Sequence, residues 1–167
     1  QQENIEPDII ALAKGLGGGF PVGAVMAKAK VGDAMIPGTH GSTFGGNPLA
    51  MRSANAVLDL LLENDFLLSL RENIIYFENK MDTLVNDDDK VSPVILCKKG
   101  SGMLRGFQLA ENIAAGDFGN ISREKGLLLV GAAENTIRLL PPLNTSKEEI
   151  DQAFEILSEV VKEIKKN

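Results

Sequence analysis

Aromatic side chains, cysteine and histidine are all scarce in this sequence, and each shortage removes a class of function. There is no tryptophan and only one tyrosine, and no stripe of Lys and Arg runs along the chain. Binding a nucleic-acid backbone needs clustered cations, and a formal net charge of −6 offers none, so no nucleic-acid partner is expected. Cys97 stands alone, which rules out an internal disulfide and any paired-cysteine redox or zinc motif. A single thiol fits a reducing compartment, and a cytoplasmic location is the expectation. His40 is the only histidine, so a multi-histidine metal site is ruled out and a Ser-His-Asp relay has one candidate. His40 reads as a loop hydrogen-bonder rather than a catalyst.

Long hydrophobic runs are lacking too. Ile9 to Ala27 comes nearest, but it holds Lys14, Pro21 and five glycines, which would leave backbone groups unsatisfied in lipid. No membrane association is expected. The start, Gln1-Gln2-Glu3-Asn4, has no basic leader and no initiator methionine, and runs at once into a dense motif. It reads as a piece of something longer.

What is present is an ordinary globular balance. Of 167 residues, 44% are hydrophobic and 24% charged, enough for a core without disulfide or metal staples. Ten of the 17 glycines fall between Gly15 and Gly46. That stretch reads as a short apolar strand or helix end (Ile9 to Ala13), a glycine-rich turn (Gly15 to Gly19), a strand (Val22 to Ala27) and a polar loop. Asn47-Pro48 starts a helix, with an Asn cap and Pro at its first position, expected to run to about Glu63. A second helix carries Phe66, Leu70, Ile74, Phe77, Met81 and Leu84 at three- and four-residue spacing. The acidic run Asn86 to Asp89 ends it and reads as a solvated turn. Strands are expected at 94–97, 103–109, 127–130 and 136–140, with a helix around 113–125. Ser146 and Glu149 form a capping box for a last helix, whose inward stripe is Ile150, Phe154, Leu157, Val161 and Ile164. Lys165 and Lys166 would complement its dipole.

Three places can carry chemistry. Lys14 is the only charge between Asp8 and Lys28, in apolar and glycine-rich surroundings. A lysine kept from water has a depressed pKa and becomes a nucleophilic amine for imine chemistry; the alternative is a strand-end lysine that snorkels to solvent. The glycines after Lys14 would leave room for a flat ligand. Ser42 and Thr43, with Gly41, Gly45 and Gly46, lie just before the helix opened by Asn47. Such a cluster suits an anion, most naturally a phosphate, or is simply a polar turn with a helix cap. Neither a P-loop nor a dinucleotide fingerprint is present, since Arg105 stands where Gly100-Ser101-Gly102 would need a third glycine. Arg138 sits among Ile137, Leu139 and Leu140, where a guanidinium can clamp a carboxylate or simply face solvent from an edge strand. Arg105 reads as structural. An amine, a phosphate cradle and a carboxylate clamp together meet the needs of pyridoxal phosphate acting on amino acids.

The segment from Pro7 to Ala24, with Ala13-Lys14-Gly15-Leu16-Gly17-Gly18-Gly19, closely resembles the lysine segment of class III (omega) pyridoxal-phosphate aminotransferases. Gly41-Ser42-Thr43-Phe44-Gly45-Gly46-Asn47-Pro48 resembles their phosphate loop. Gly126 to Leu129, with Asn135-Thr136-Ile137-Arg138-Leu139-Leu140-Pro141-Pro142, resembles the acetylornithine branch. The resemblance implies an α/β, fold-type-I chain: residues 1–64 from the end of the large cofactor-binding domain, 65–91 a linking helix, and 92–167 a small α+β domain. It implies that Lys14 bears pyridoxal 5'-phosphate and moves protons. Thr43 would bind the cofactor phosphate across a homodimer, Ser42 would contact the acylated ornithine, and Arg138 would hold the α-carboxylate of glutamate or 2-oxoglutarate. The implied reaction passes the terminal amino group of N-acetylornithine to 2-oxoglutarate, in arginine biosynthesis. Ornithine, succinylornithine, succinyl-diaminopimelate or 4-aminobutyrate are alternative donors. The family places further cofactor contacts, including an Asp that pairs with the pyridine nitrogen, upstream of Gln1. These 167 residues alone are therefore expected to be catalytically incompetent. A non-catalytic interaction remnant is the reading from another class, and a cofactor-free lysine aldolase a weaker third.

Overall fold

Strand β1 (Ile9–Leu12) pairs antiparallel with β2 (Ala24–Ala27), Ile9 opposite Ala27 and Leu12 opposite Ala24. The computed structural model describes residues 4–63, 65–88 and 90–166. Between the strands lies a 3₁₀ turn, Lys14–Gly17, and after β2 a single helical turn, α1 (Ala29–Gly32), that local pattern does not announce. Helix α2 (Pro48–Leu62) begins as its sequence dictates: Asn47 Oδ1 accepts from the backbone N–H groups of Leu49 (2.9 Å) and Ala50 (3.3 Å), with Pro48 at the first position. Ala50 and Ala54 form its buried side. Val57, one turn on, packs on the glycine turn so closely that a Cβ on Gly18 would stand 3.0 Å from its Cγ2.

The chain divides into two compact units between Leu67 and Leu68. The second unit holds most of α3 (Phe66–Asp87), then β3 (Ile95–Ser101), β4 (Leu104–Leu109), α4 (Ala115–Glu124), β5 (Val130–Ala132), β6 (Thr136–Leu139) and α5 (Lys147–Ile164). Its sheet runs β3-β4-β6-β5 with every neighbour antiparallel. Alternation does the rest: Phe107 and Ile137 point to one face and are fully buried, while Arg138 on the other face is exposed. The buried face meets Phe77 and Met81 of α3, Phe118 of α4, and Phe154 and Leu157 of α5 in one core. Phe77 and Phe154 make an edge-to-face pair at 5.7 Å. Helices gathered on one face of an antiparallel sheet are an α+β layer. Each fully buried apolar side chain here contributes about 1.5–3 kcal/mol.

Helices α2, α3 and α5 stand where their caps and periodicities put them. The Ser146 capping box is complete, with Ser146 Oγ accepting from Glu149 N (3.1 Å) and Glu149 Oε2 from Ser146 N (2.8 Å). Two expectations need correction. The run 127–130 is not a strand: Leu127 and Leu129 pack against the core instead, and β5 starts at Val130. The acidic run is not simply a solvated turn either. Asp88 is buried, its Oδ2 accepts from Val94 N (2.7 Å) and Ile95 N (2.8 Å), and its other oxygen pairs with Lys165. Thus Lys165 ties the end of α5 to the end of α3, rather than only offsetting a helix dipole. Among the described residues, no helix is long and apolar enough to cross a membrane, and no cluster of His, Cys, Asp and Glu could hold a metal.

Candidate functional site

Lys14 occupies an unusual backbone position. Its φ is +53°, in the left-handed region that non-glycine residues rarely visit, at the start of the 3₁₀ turn. Such a conformation costs of order 1–3 kcal/mol, and it persists where surrounding structure enforces it, characteristically at functional positions. The turn that follows Lys14 is closely packed. A Cβ on Gly17 would approach Val22 Cγ1 to 2.7 Å, and Gly18, with φ +57°, lies against Val57 of α2. These glycines therefore serve close internal packing and left-handed backbone; the expectation that they all leave room for a ligand is corrected. Gly15 and Gly19 fit it in part, both being exposed with no neighbouring atom within 4 Å of a Cβ built there.

The scarcity of water expected around Lys14 is also not met. Lys14, Ala13 and Gly15 are exposed, and the apolar residues nearby are largely exposed as well: Ile9 by 56%, Val25 by 72% and Met26 by 51%. The surroundings are apolar in composition but uncovered. Among the described residues, Lys14 makes no ion pair, whereas Lys28 pairs with Glu6 and Asp8, and Lys30 with Asp8. What remains is an exposed amine without an ion-pair partner among the described residues.

Ser42 and Thr43 lie in the loop before α2, both exposed, and neither hydroxyl has a hydrogen-bond partner among the described residues. The helix start beside them is not an open anion site. Asn47 fills it with its own carboxamide oxygen, and the N–H groups of Gly45 and Asn47 are spent on the carbonyls of Ser42 and Phe44. The helix terminus is therefore occupied, and the two hydroxyls beside it are left unengaged among the described residues. No hydrogen bond joins Lys14 to Ser42 or Thr43. His40 is exposed and makes no hydrogen bond among the described residues, so its reading as a loop hydrogen-bonder is corrected.

Arg138 belongs to the second unit. It lies on β6, which is an inner strand between β4 and β5, so it is not an edge-strand charge. Its Cα partners are Gly106 on one side and Val130 on the other. The described sheet carries four cations, and three are engaged. Lys98 bridges Glu78 and Asp82, Lys99 pairs with Glu134, and Arg105 pairs with Glu78 at 3.0 Å while donating to the carbonyls of Gly100 and Gly102. Arg138 is exposed, and its guanidinium has no ion pair or hydrogen bond among the described residues. The Lys98 ammonium, and after it Arg105, holds the Glu78 carboxyl below its ordinary pKa. Arg105, buried to 8% exposure, is structural as its sequence context implies.

Sequence reasoning passed over Asn135, three residues before Arg138. Asn135 has φ +48°, and its carboxamide accepts from Ala115 N (3.0 Å) and donates to the carbonyls of Ala110 (3.0 Å) and Ile113 (2.8 Å). It caps α4 and anchors β6 one turn of chain before Arg138. The only signal was its place in the Asn135-Thr136-Ile137-Arg138 motif, since Asn tolerates left-handed backbone better than most residues.

The family model for class-III aminotransferases matches residues 1–161. The chain is 44% identical over 160 residues to the acetylornithine aminotransferase of Streptococcus mutans, covering 96% of this chain and 41% of that protein. With the acetylornithine aminotransferase of Listeria monocytogenes serotype 4b it shares 42% over 161 residues, covering 96% and 40%. Among solved structures, ornithine delta-aminotransferase of Plasmodium falciparum superposes with a TM-score of 0.88 at 30% identity, over 99% of this chain and 42% of that one. Acetylornithine aminotransferase from Elizabethkingia anophelis gives 0.85 at 33%, over 97% and 40%. The chain thus spans about two-fifths of the length of the relatives it matches. It belongs to the class-III aminotransferases, a family of pyridoxal-phosphate-dependent enzymes.

Proposed function

We propose that this chain carries the lysine, phosphate-loop and carboxylate-binding elements of an acetylornithine aminotransferase, moving an amino group from N-acetylornithine to 2-oxoglutarate. The observation that carries the reading is that the motif residues are the chemically idle ones. Lys14, Ser42, Thr43 and Arg138 are exposed and unengaged, while the other cations of the sheet are consumed in ion pairs. The donor set fits pyridoxal phosphate: a free primary amine for its aldehyde and two free hydroxyls for its phosphate. When bound, the cofactor supplies an aldehyde and an electron-withdrawing ring.

In this reading Lys14 holds the cofactor and then carries a proton on Nζ. Thr43 hydrogen-bonds the phosphate from the other subunit of a homodimer. Ser42 touches the acylated donor. Arg138 grips the substrate carboxylate through paired N–H donors. The exposure of Lys14 supports inactivity of the 167 residues alone, because the apolar face around it is uncovered and water has free access to the amine. We place the reaction in the cytoplasm, in arginine biosynthesis. Identity of 44% to an acetylornithine enzyme favours that donor; ornithine is the second reading, favoured by the TM-score of 0.88. Rates with N-acetylornithine, ornithine, succinylornithine and 4-aminobutyrate, measured on the complete polypeptide, test it. The highest kcat/KM is expected with N-acetylornithine, and a preference for any other donor overturns the assignment.

A further inference from the structure

The outer face of the second unit's sheet brings Arg138 beside a residue with no side chain. Gly106 on β4 is the Cα partner of Arg138 on β6, and it is buried although it lies on the solvent face. What covers it is Thr136, two residues before Arg138 on the same strand face and itself only 6% exposed. A Cβ at residue 106 would stand 2.7 Å from Thr136 Cγ2 and 3.0 Å from the carbonyl oxygen of Ile137. The first distance is an outright overlap; the second is a tight contact with backbone, which cannot rotate away. That carbonyl belongs to the peptide unit whose nitrogen is Arg138's own. Any side chain at 106 therefore presses on the bond that carries the arginine.

We propose that Gly106 is the positioning residue for the Arg138 guanidinium. By keeping β6 seated against β4, it fixes where that fork meets the substrate carboxylate. Gly106 touches no substrate and acts only through β6. Backbone freedom is not the reason for glycine here, because Gly106 is not among the positive-φ residues; close approach is. A carboxylate held by two parallel N–H donors is sensitive to such a shift, since small misplacements of a bidentate pair lose both bonds together. The inference rests on the proposed role of Arg138.

The test uses the complete polypeptide loaded with pyridoxal phosphate and titrated calorimetrically with glutarate, a dicarboxylate that cannot be transaminated. Gly106→Ala should weaken glutarate by about tenfold. Adding Thr136→Ser, which deletes the clashing methyl but keeps the hydroxyl bonded to the Glu134 carbonyl, should restore only part of that loss, because the 3.0 Å contact with the Ile137 carbonyl remains. Leu157→Ala, which destabilises the same unit's core from a fully buried position, should leave glutarate affinity unchanged. If Arg138→Ala abolishes binding while Gly106→Ala binds as the parent does, the positioning role is refuted and the Arg138 reading stands. Should Arg138→Ala bind glutarate normally, both fall. Where Gly106→Ala alone does not fold, the double variant is compared with Thr136→Ser. Weaker binding in the double variant supports the proposal, and equal binding overturns it.

Discussion

Asp88 offers the sharpest stability test of the second unit. Its side chain is 1% exposed and joins three elements: it follows α3, accepts both N–H groups at the entry to β3, and pairs with Lys165 after α5. In Asp88→Ala the N–H groups of Val94 and Ile95 lose their acceptor inside the fold, and each hydrogen bond to a charged group is worth about 1.5–3 kcal/mol. Removing one member of a buried ion pair costs about 3–5 kcal/mol in all. Lys165 keeps 30% exposure and can return to water, so the lower end, about 3 kcal/mol, is expected. Asp88→Asn keeps an acceptor oxygen for the two N–H groups but loses the charge, and about 1–2 kcal/mol is expected. Urea unfolding followed by circular dichroism measures both. With a slope of about 1.5 kcal/mol/M, the Ala midpoint falls by about 2 M and the Asn midpoint by about half as much. An Ala midpoint within about 0.3 M of the parent, or an Asn variant as damaged as Ala, would refute the staple.

Asn135→Ala should lose about 2–3 kcal/mol, since it frees the first N–H of α4 and two carbonyls and leaves Ala at φ +48°; Asn135→Gly should recover part of that, and urea midpoints rank the two. Stability should also fall in acid. Lys98 and then Arg105 lower the pKa of Glu78, Lys80 and then Tyr76 lower that of Asp151, and Lys99 lowers that of Glu134. A carboxylate with a lowered folded pKa contributes fully above its unfolded value and loses that contribution as pH falls through the folded one. Urea midpoints should therefore be flat from pH 7 to about 5 and drop below about pH 4, with a shallower drop in Glu78→Gln. In alkali the sign reverses. Asp82 raises the Lys98 pKa, so the stability this lysine adds is lost as pH rises through its folded value, and Lys98→Met should blunt that loss. The 167-residue chain, supplied with pyridoxal phosphate, N-acetylornithine and 2-oxoglutarate, should show no turnover; glutamate formation at a rate typical of enzymes would contradict the exposure argument.

What could be read from the sequence was whatever is decided within a few residues. Asn47-Pro48, the Ser146–Glu149 box and the stripe from Phe66 to Leu84 act over one to four positions, and the helices stand where these signals put them. The run Leu127 to Leu129 was misplaced because an apolar triplet can pair in a sheet or plug a core, and the layer beneath it decides. Asp88 looked solvated because its partners lie six, seven and seventy-seven positions away. At the site, the identities of Lys14, Ser42, Thr43 and Arg138 stood out, but their surroundings did not. An apolar stretch around a lysine says nothing of whether anything covers it, and an Asn before a helix marks an occupied terminus as readily as a vacant one. Gly106 carried no signal, because its neighbour Thr136 is thirty positions away and the overlap of 2.7 Å exists only in the folded sheet.

One lysine among many is held to be the cofactor's anchor, and borohydride trapping asks about it directly. The complete polypeptide is mixed with one equivalent of pyridoxal phosphate, reduced, digested, and its peptides weighed. The adduct should sit on the peptide containing Lys14 and vanish in Lys14→Ala. Label spread over surface lysines according to their exposure, or gathered on a different one, would contradict the account.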